Sequence, residues 1–596
     1  MSLWITAKNI YSKTLLQARE FLARDRHVVY LIITAAILVY ALCLPNQMFW
    51  DDDDFILKNA YIKDWQFWTK FFTENIISGG HLLSNYWRPL LEAVFAVEWH
   101  LWADWVCGWH AVSILCHAAA GSALFFVLKA LGRDRTLAIA GALLWVVHPV
   151  HTEAVVYPNS MGDSLATLFV LLGIYFYTRG REGARTNPRY YMASLAMYPL
   201  ALLSKETGIL LVAFIALADF LMIPDATAAA PGHCRRIPGI LVRLSPFILM
   251  ALAYIALRAT VLNFNNSFNF YNHDTPFTTQ PLLRLAAFLR VIALDAGFIF
   301  IPYDLRVERL IEAPGSFLAP DVLWGGLIVA GLIGLAIRNW ARRPAVTFGV
   351  LWFFTAILPT SNLFVIINAL VYEHFLYMAL MGIIIVVLTL GLDGARNDTH
   401  RRKIFMTVVC MAIVLLSARS AWRCTDWRTA IGFYEKLVPT APKSYRVLNN
   451  LGMAYAEKGI TDKAEATYLK AITLDPSNAV AYHNVANIYR DRGDKELARQ
   501  NYTKAIELQP NFIFSYKSLA QIYLDKNEYS KARAILEQYF LLADEKIPVL
   551  NILTEIAWRQ GAYTDARRYL LTILQLDPGN PGATAALEKL KTAIQK

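Results

Sequence analysis

Phe49-Trp50-Asp51-Asp52-Asp53-Asp54-Phe55 stands directly after the apolar stretch 28–45, and reading the two together decides the fold. The apolar stretch is long enough to cross a bilayer. It follows a basic amphipathic lead over residues 1–27 with Lys8, Lys13, Arg19, Arg24 and Arg26, and it lacks a small-residue cleavage pattern. It therefore reads as a first transmembrane helix that starts on the cytoplasmic side, not as a removable signal peptide. The four carboxylates emerge on the opposite face. One reading makes them a solvated turn that favours the positive end of a helix. The other makes them a site of limited solvent access, where a raised pKa lets a carboxylate take a proton from a hydroxyl.

Composition narrows the class. A chain of 596 residues that is 56% hydrophobic and 17% charged, with mean hydropathy +0.37, is too apolar for a soluble protein of this size. The expected fold class is an all-α polytopic membrane protein. The formal charge of +11 fits basic cytoplasmic loops and does not call for nucleic acid. Cys43, Cys107, Cys116, Cys234, Cys410 and Cys424 form no CxxC pair and read as small apolar fillers.

Further spans are expected over 109–131, 136–150, 163–177, 191–203, 207–222, 240–262, 322–337, 346–363, 376–392 and 404–416, about eleven with the first. Alternate crossing places Arg133 and Arg135, then Arg179, Arg181, Arg185 and Arg189, then Arg235 and Arg236, at cytoplasmic ends. Arg338, Arg342 and Arg343, and later Arg396, Arg401, Arg402 and Lys403, fall on the same side. Residues 59–105 are aromatic but studded with charge and read as amphipathic helices on the outer surface. The stretch 282–302 carries Arg284, Arg290 and Asp295. Crossing there would put every later basic loop on the wrong side, so it reads as re-entrant or interfacial.

This topology sends the remaining polar motifs to one membrane face. His148-Pro149-Val150-His151-Thr152-Glu153, Ser204-Lys205-Glu206 and Tyr372-Glu373-His374 join Arg88 and the acid run there. Ionisable groups at a bilayer boundary are costly unless paired or functional. Taken singly, each could cap its helix or make a local pair, such as Lys205 with Glu206. Taken together they suggest one polar site. A carboxylate able to deprotonate a hydroxyl, beside cations able to bind phosphate, suits attack by an acceptor hydroxyl on a sugar carbon. On an extracytoplasmic face the phosphate-linked donor is expected to be a lipid, and a single displacement inverts the anomeric centre.

Trp50-Asp51-Asp52 with Ile56 and Asn59, Tyr86-Trp87-Arg88-Pro89-Leu90, Gly108-Trp109-His110, His148-Pro149-Val150-His151-Thr152-Glu153-Ala154, Ser204-Lys205-Glu206, Pro359-Thr360-Ser361-Asn362 and Tyr372-Glu373-His374-Phe375-Leu376-Tyr377 resemble the transmembrane and tetratricopeptide-repeat O-mannosyltransferases. That family lies within the GT-C glycosyltransferases, and the resemblance spans nearly the whole chain. It implies a GT-C membrane fold and a polyprenyl-phosphate-sugar donor. It also implies a catalytic acid at Asp51 or Asp52, with Asp51 the favoured base. Arg88, His148, His151, Lys205 and His374 would face donor phosphate, with Glu153, Glu206 and Glu373 orienting them. The family often has arginine where His374 stands, which weakens the charge there near neutrality. Asp53 and Asp54 exceed the usual pair. No cofactor is expected, the alternative being a divalent cation such as Mg²⁺ or Mn²⁺ held by residues 51–54. His110 and His117 read as satisfied core histidines, and Asp163 and Asp219 as structural.

After residue 417 the composition becomes that of a soluble domain. Gly452, Tyr455, Ala464, Tyr468, Ala471 and Pro476 return 34 residues later as Ala486, Tyr489, Ala498, Tyr502, Ala505 and Pro510. That is the tetratricopeptide period. The expected domains are a membrane domain over 1–420, with its first outer loop at 47–107, and an extracytoplasmic repeat domain over 421–596. Within the latter, a half repeat at 421–444 precedes repeats at 445–478, 479–512, 513–546 and 547–580 and a cap at 581–596. Asn450 and Asn484 occupy equivalent positions and could grip an extended acceptor backbone, or simply be repeat consensus. The expected partners are the lipid donor, membrane lipids and an exported protein acceptor, without nucleic acid. The membrane is either a bacterial inner membrane with the site facing the periplasm, or the endoplasmic reticulum with the site facing the lumen. Rival readings are transfer of another sugar or to a glycan or lipid acceptor, and a non-catalytic membrane-anchored scaffold.

Overall fold

Proline starts many of the long helices. Pro89, Pro188, Pro281, Pro320 and Pro344 each sit in the first turn, where the missing N–H costs no helix bond. The computed structural model describes residues 21–80, 82, 84–181, 186–223, 237–264, 276–307, 309, 314, 316–367, 370–510, 512–542 and 546–594. The lead residues Lys8, Lys13 and Arg19, the loop arginines Arg185, Arg235 and Arg236, and Cys234 lie outside the described residues. Among the described residues the secondary structure is helical, without strands. The chain parts into two units at Phe433/Tyr434.

Each of the eleven expected spans falls on a helix, but the lengths differ from the expectation. Among the described residues seven helices are long and apolar enough to cross: Asp25–Cys43, Val106–Ala130, Pro158–Gly180, Ile237–Ala259, Pro320–Asn339, Glu373–Gly394 and Thr399–Trp427. Arg135–Val146 and Pro149–Val156 make an eighth if their 49° bend counts as one broken span. The break falls before Pro149, which disfavours helical backbone at His148. Leu211–Leu221 has 11 residues, about 16 Å of helix, which is short of the roughly 30 Å of hydrocarbon in a bilayer.

Ion pairs tie together the helix ends expected to be cytoplasmic. Asp25 meets Lys129 at 2.6 Å and Arg135 at 2.5 Å, joining the ends of three helices. Asp219 takes Arg181 and Arg243, and Asp393 takes Arg343. The motifs at residues 49–54, 148–163, 204–206 and 372–374 lie at the opposite ends of those helices. The first loop folds against the helix ends there. Phe55, Ile56, Phe71, Leu91 and Phe95 form a buried cluster with Trp109 and Met161. Buried Asn59 ties the loop together by donating to the carbonyls of Phe55 and Ile76. Trp65, Trp68, Leu101 and Trp105 remain exposed, as an interfacial segment requires.

The second unit is a stack of antiparallel helix pairs. Tyr445–Glu457 pairs with Thr461–Leu474, Ala479–Arg492 with Lys495–Leu508, Ile513–Asp525 with Tyr529–Leu542, and Lys546–Arg559 with Tyr563–Leu576; Pro581–Ile594 follows. The period reaches the caps. The Ser444 hydroxyl accepts from the Val447 N–H, and 34 residues on the Asn478 side chain accepts from the Ala481 N–H. Gly452 is small because a Cβ there would lie 2.5 Å from the Tyr468 ring. The preceding half repeat is represented by a short helix, Ala430–Leu437, while Thr399–Cys424 runs past the expected boundary at 420.

Candidate active site

Residues 148–163 organise the site. The helix Arg135–Val146 stops, the chain makes short turns through Pro149–His151, Thr152–Val156 and Pro158–Ser160, and a new helix begins at Met161. Short turns leave side chains and backbone groups pointing in several directions, and each meets a motif distant in sequence.

The acid run lies at one end. The Tyr157 hydroxyl accepts from the Asp51 N–H at 2.7 Å, and the Asp52 carboxylate accepts from the Asn159 N–H at 2.9 Å. The two aspartates therefore differ in environment. Asp52 is 1% exposed, whereas Asp51 is half-buried. Burial pushes the Asp52 pKa well above the ordinary carboxylate range; the Asn159 N–H opposes that and the Asp51 charge adds to it. Trp50 holds a left-handed backbone at φ 64°, with its ring against Tyr157 and Phe433. Asp53 turns toward Lys58 at 3.2 Å. Among the described residues no group of three or more His, Cys, Asp or Glu side chains gathers to hold a metal ion.

Three of the residues expected to face phosphate, Arg88, Lys205 and His374, are each held by a carboxylate. Lys205 donates to both Asp163 oxygens at 2.7 Å, so Asp163, expected to be merely structural, is the counter-ion of a site lysine. Glu206 pairs with Arg88 through Nε and Nη2 at 3.0–3.3 Å, not with its neighbour Lys205. Burial works against both charges. Arg88 nevertheless holds the Glu206 carboxyl below its ordinary value, and Glu206 raises the Arg88 pKa. The turn that presents Lys205 and Glu206 depends on Gly208, where a Cβ would lie 2.4 Å from the Ala201 carbonyl.

Glu153 receives the Nδ1–H of His374 at 2.8 Å and its backbone N–H at 3.2 Å, leaving Nε2 as the imidazole's second nitrogen. Glu373 does not orient a histidine. It takes Arg423 at 2.7 and 2.9 Å in a pair that is 0% and 5% exposed. Arg423, on the last long helix, was not among the sequence candidates. Its only signal there is an arginine four residues after Arg419, beyond the apolar middle of a helix whose start carries His400, Arg401, Arg402 and Lys403.

The two histidines of the 148–153 motif do not match the expected phosphate role. His148 is 3% exposed; Nε2 donates to the Ile299 carbonyl at 3.0 Å and Nδ1 accepts from the Val150 N–H, so both nitrogens are engaged. His151 is fully buried among the rings of His117, Trp145 and Tyr377. His117 bonds Tyr377 and the Val146 carbonyl, and His110 bonds the Asn46 carbonyl. In the repeat unit, Asn484 donates to Asn449 of the preceding repeat at 3.1 Å, while Asn450 is half-buried.

Comparison with known proteins agrees with this division. The family model of dolichyl-phosphate-mannose-protein mannosyltransferases matches residues 104–249, which hold the 148–163 segment and Lys205-Glu206. Tetratricopeptide-repeat models match 445–478, 479–512, 501–534 and 518–581. Protein O-mannosyl-transferase F38B6.6 of Caenorhabditis elegans is 25% identical over 75% of this chain and 62% of its own length. Protein O-mannosyl-transferase TMTC4 of Homo sapiens is 26% identical over 72% and 63%. The chain thus spans about three fifths of the length of these relatives. A solved structure, "Crystal structure of MamA", is 22% identical over 28% of this chain and 90% of its own, with a TM-score of 0.22. In both its membrane part and its repeats, the chain is similar to the tetratricopeptide-repeat-containing protein O-mannosyl-transferases.

Proposed function

We propose that the chain is an inverting membrane glycosyltransferase that moves mannose from a polyprenyl-phosphate donor to Ser or Thr hydroxyls of an exported protein. The observation that carries the reading is the single segment, 148–163, that ties the acid run to Lys205 and His374. Asp51 is the base in this reading. Asp52 is buried and tied to Asn159, and its raised pKa makes it a proton holder that positions the run. The acceptor hydroxyl gives its proton to the Asp51 carboxylate as its oxygen bonds to the anomeric carbon. The bond from that carbon to the phosphate oxygen breaks on the far side, its electron pair leaves with polyprenyl phosphate, and the centre inverts.

Arg88 and Lys205 stabilise the departing phosphate. Each is oriented by its carboxylate partner, and Arg88 uses only Nε and Nη2 on Glu206, which leaves Nη1 for the ligand. His374, oriented by Glu153, adds Nε2. The reading places this site on the extracytoplasmic face, needs no metal and gives the repeats the task of raising the local concentration of acceptor.

The test is mannosyl transfer from polyprenyl-phosphate-mannose to an acceptor polypeptide by the purified full chain. Asp51→Asn should lower the rate by about 10²- to 10⁴-fold while donor binding stays unchanged. Asp51→Asn at full rate would refute the assignment of the base. Undiminished wild-type activity in a chelator is expected, and loss of it would restore the cation alternative.

A further inference from the structure

Pro89 opens the helix Pro89–Trp102 and keeps the backbone before it out of the helical region, with Arg88 at φ −137°. Backbone of that kind sends alternate side chains to opposite sides. Trp87 turns one way, packing on Tyr254 with ring centres 6.2 Å apart and donating its Nε1–H to the Phe72 carbonyl at 3.3 Å. Tyr86 and Arg88 stay together, and the Arg88 guanidinium lies 4.6 Å from the centre of the Tyr86 ring, within cation–π range. The backbone beneath the ring is tied down. The Tyr86 carbonyl accepts from the Ile76 N–H at 3.1 Å, the Tyr86 N–H donates to the Ser84 hydroxyl at 3.3 Å, and Arg258 donates to the Asn85 carbonyl.

The phenol hydroxyl takes no part in this. Tyr86 is half-buried, and among the described residues its hydroxyl makes no hydrogen bond. A tyrosine packed into a polar site usually gives that group a partner. The ring also bridges the two halves of the site. Besides Arg88 it meets Phe55, the residue after the acid run, with ring centres 6.3 Å apart. Burial raises the Tyr86 pKa above its ordinary value; Arg88 opposes that, and the Glu206 and Asp51 charges add to it. The hydroxyl therefore keeps its proton near neutrality and is a donor.

The nearby protein groups leave that donor to a ligand. The Glu206 carboxylate is spent on Arg88, and the Asp51 N–H already uses the Tyr157 hydroxyl. A phosphate oxygen suits the position best, because one anion can accept from the phenol and from the Nη1 that Arg88 leaves unused, and hydrogen bonds to an anion are the strong ones.

We infer that the Tyr86 hydroxyl donates a hydrogen bond to the phosphate of the donor lipid, beside Arg88, while its ring props the guanidinium in place. The inference rests on the transferase reading above and adds a neutral phosphate contact to the charged ones.

The experiment measures binding of two probes, bare polyprenyl phosphate and polyprenyl-phosphate-mannose, to the full chain in lipid nanodiscs, alongside the thermal midpoint without lipid. Tyr86→Phe keeps the ring on Arg88 and removes only the donor. It should weaken both lipids equally, by about five- to 100-fold, the loss expected of a hydrogen bond to a charged group. The lipid-free midpoint should not move, since the hydroxyl holds nothing in the protein. Tyr86→Leu removes the prop as well and should bind both lipids more weakly than Tyr86→Phe does. A loss under about fivefold in Tyr86→Phe, a loss confined to the mannosylated lipid, or a lowered lipid-free midpoint would overturn the phosphate contact and leave the transferase reading standing. Equal binding by Tyr86→Leu and Tyr86→Phe would overturn the prop. A wild type that binds neither lipid would overturn both the contact and the transferase reading.

Discussion

Asp163→Asn offers a direct measure of how tightly the site is held. In the wild type both Asp163 oxygens stand 2.7 Å from the Lys205 ammonium, and the two side chains are 7% and 14% exposed. Removing one partner of a buried ion pair leaves the other charge uncompensated and costs about 3–5 kcal/mol, whereas an exposed pair is worth about 0–1 kcal/mol. The low exposure puts this pair near the first limit. At about 1.4 kcal/mol per tenfold, the loss corresponds to roughly 10²- to 4 × 10³-fold more frequent local opening. Hydrogen-exchange mass spectrometry of the peptide covering 200–210 reads that factor. The double variant Asp163→Asn/Lys205→Met should exchange more slowly than Asp163→Asn alone, because no orphaned charge remains. An acceleration below about fivefold in Asp163→Asn would refute the reasoning, since the pair would then behave as an exposed one.

Gly208→Ala should lower the thermal midpoint and accelerate exchange over 205–210, since its Cβ would strike the Ala201 carbonyl, a backbone group unable to give way at less than about 1–3 kcal/mol; Gly394→Ala, with open space around it, is the neutral control. Arg423→Met should destabilise the chain more than Arg423→Met/Glu373→Met does in the same thermal assay, because the single change strands a fully buried carboxylate. The repeats should loosen in acid. Burial, with Arg490 adding to it, drops the His483 pKa from 6.5 to about 4, so the unfolded chain binds the extra proton. The stability this contributes is complete above 6.5 and is lost as pH falls through 6.5 toward 4, by up to about 3 kcal/mol. Exchange in Ala479–Arg492 followed against pH checks it, and His483→Leu should flatten the dependence.

What the sequence disclosed and what it hid follow from the range of the forces involved. The repeats were legible because each is a local unit. Spacing of 34 residues fixes Ala486 against Tyr502 and places a cap at both Ser444 and Asn478. The helices of the membrane unit were legible from their apolar runs, and basic loops told which ends belong together. Ion-pair partners were not. Arg88 finds Glu206 across 118 positions and Lys205 passes over its own neighbour for Asp163, since Coulomb attraction rewards proximity in space. The burial of His148 and His151 was hidden for a related reason. Their sequence resembles a polar motif, but the bend at Pro149 folds both rings into the interior.

The short turns of 148–163 carry a consequence for how the molecule can adapt. Asp51, Lys205 and His374 are all braced from one length of chain with little slack, so none of them can be shifted alone. A change that shifts the step between Val156 and Met161 would displace the neighbours of all three at once. Sequence variation is therefore easier to accommodate elsewhere in the membrane unit than in this shared brace.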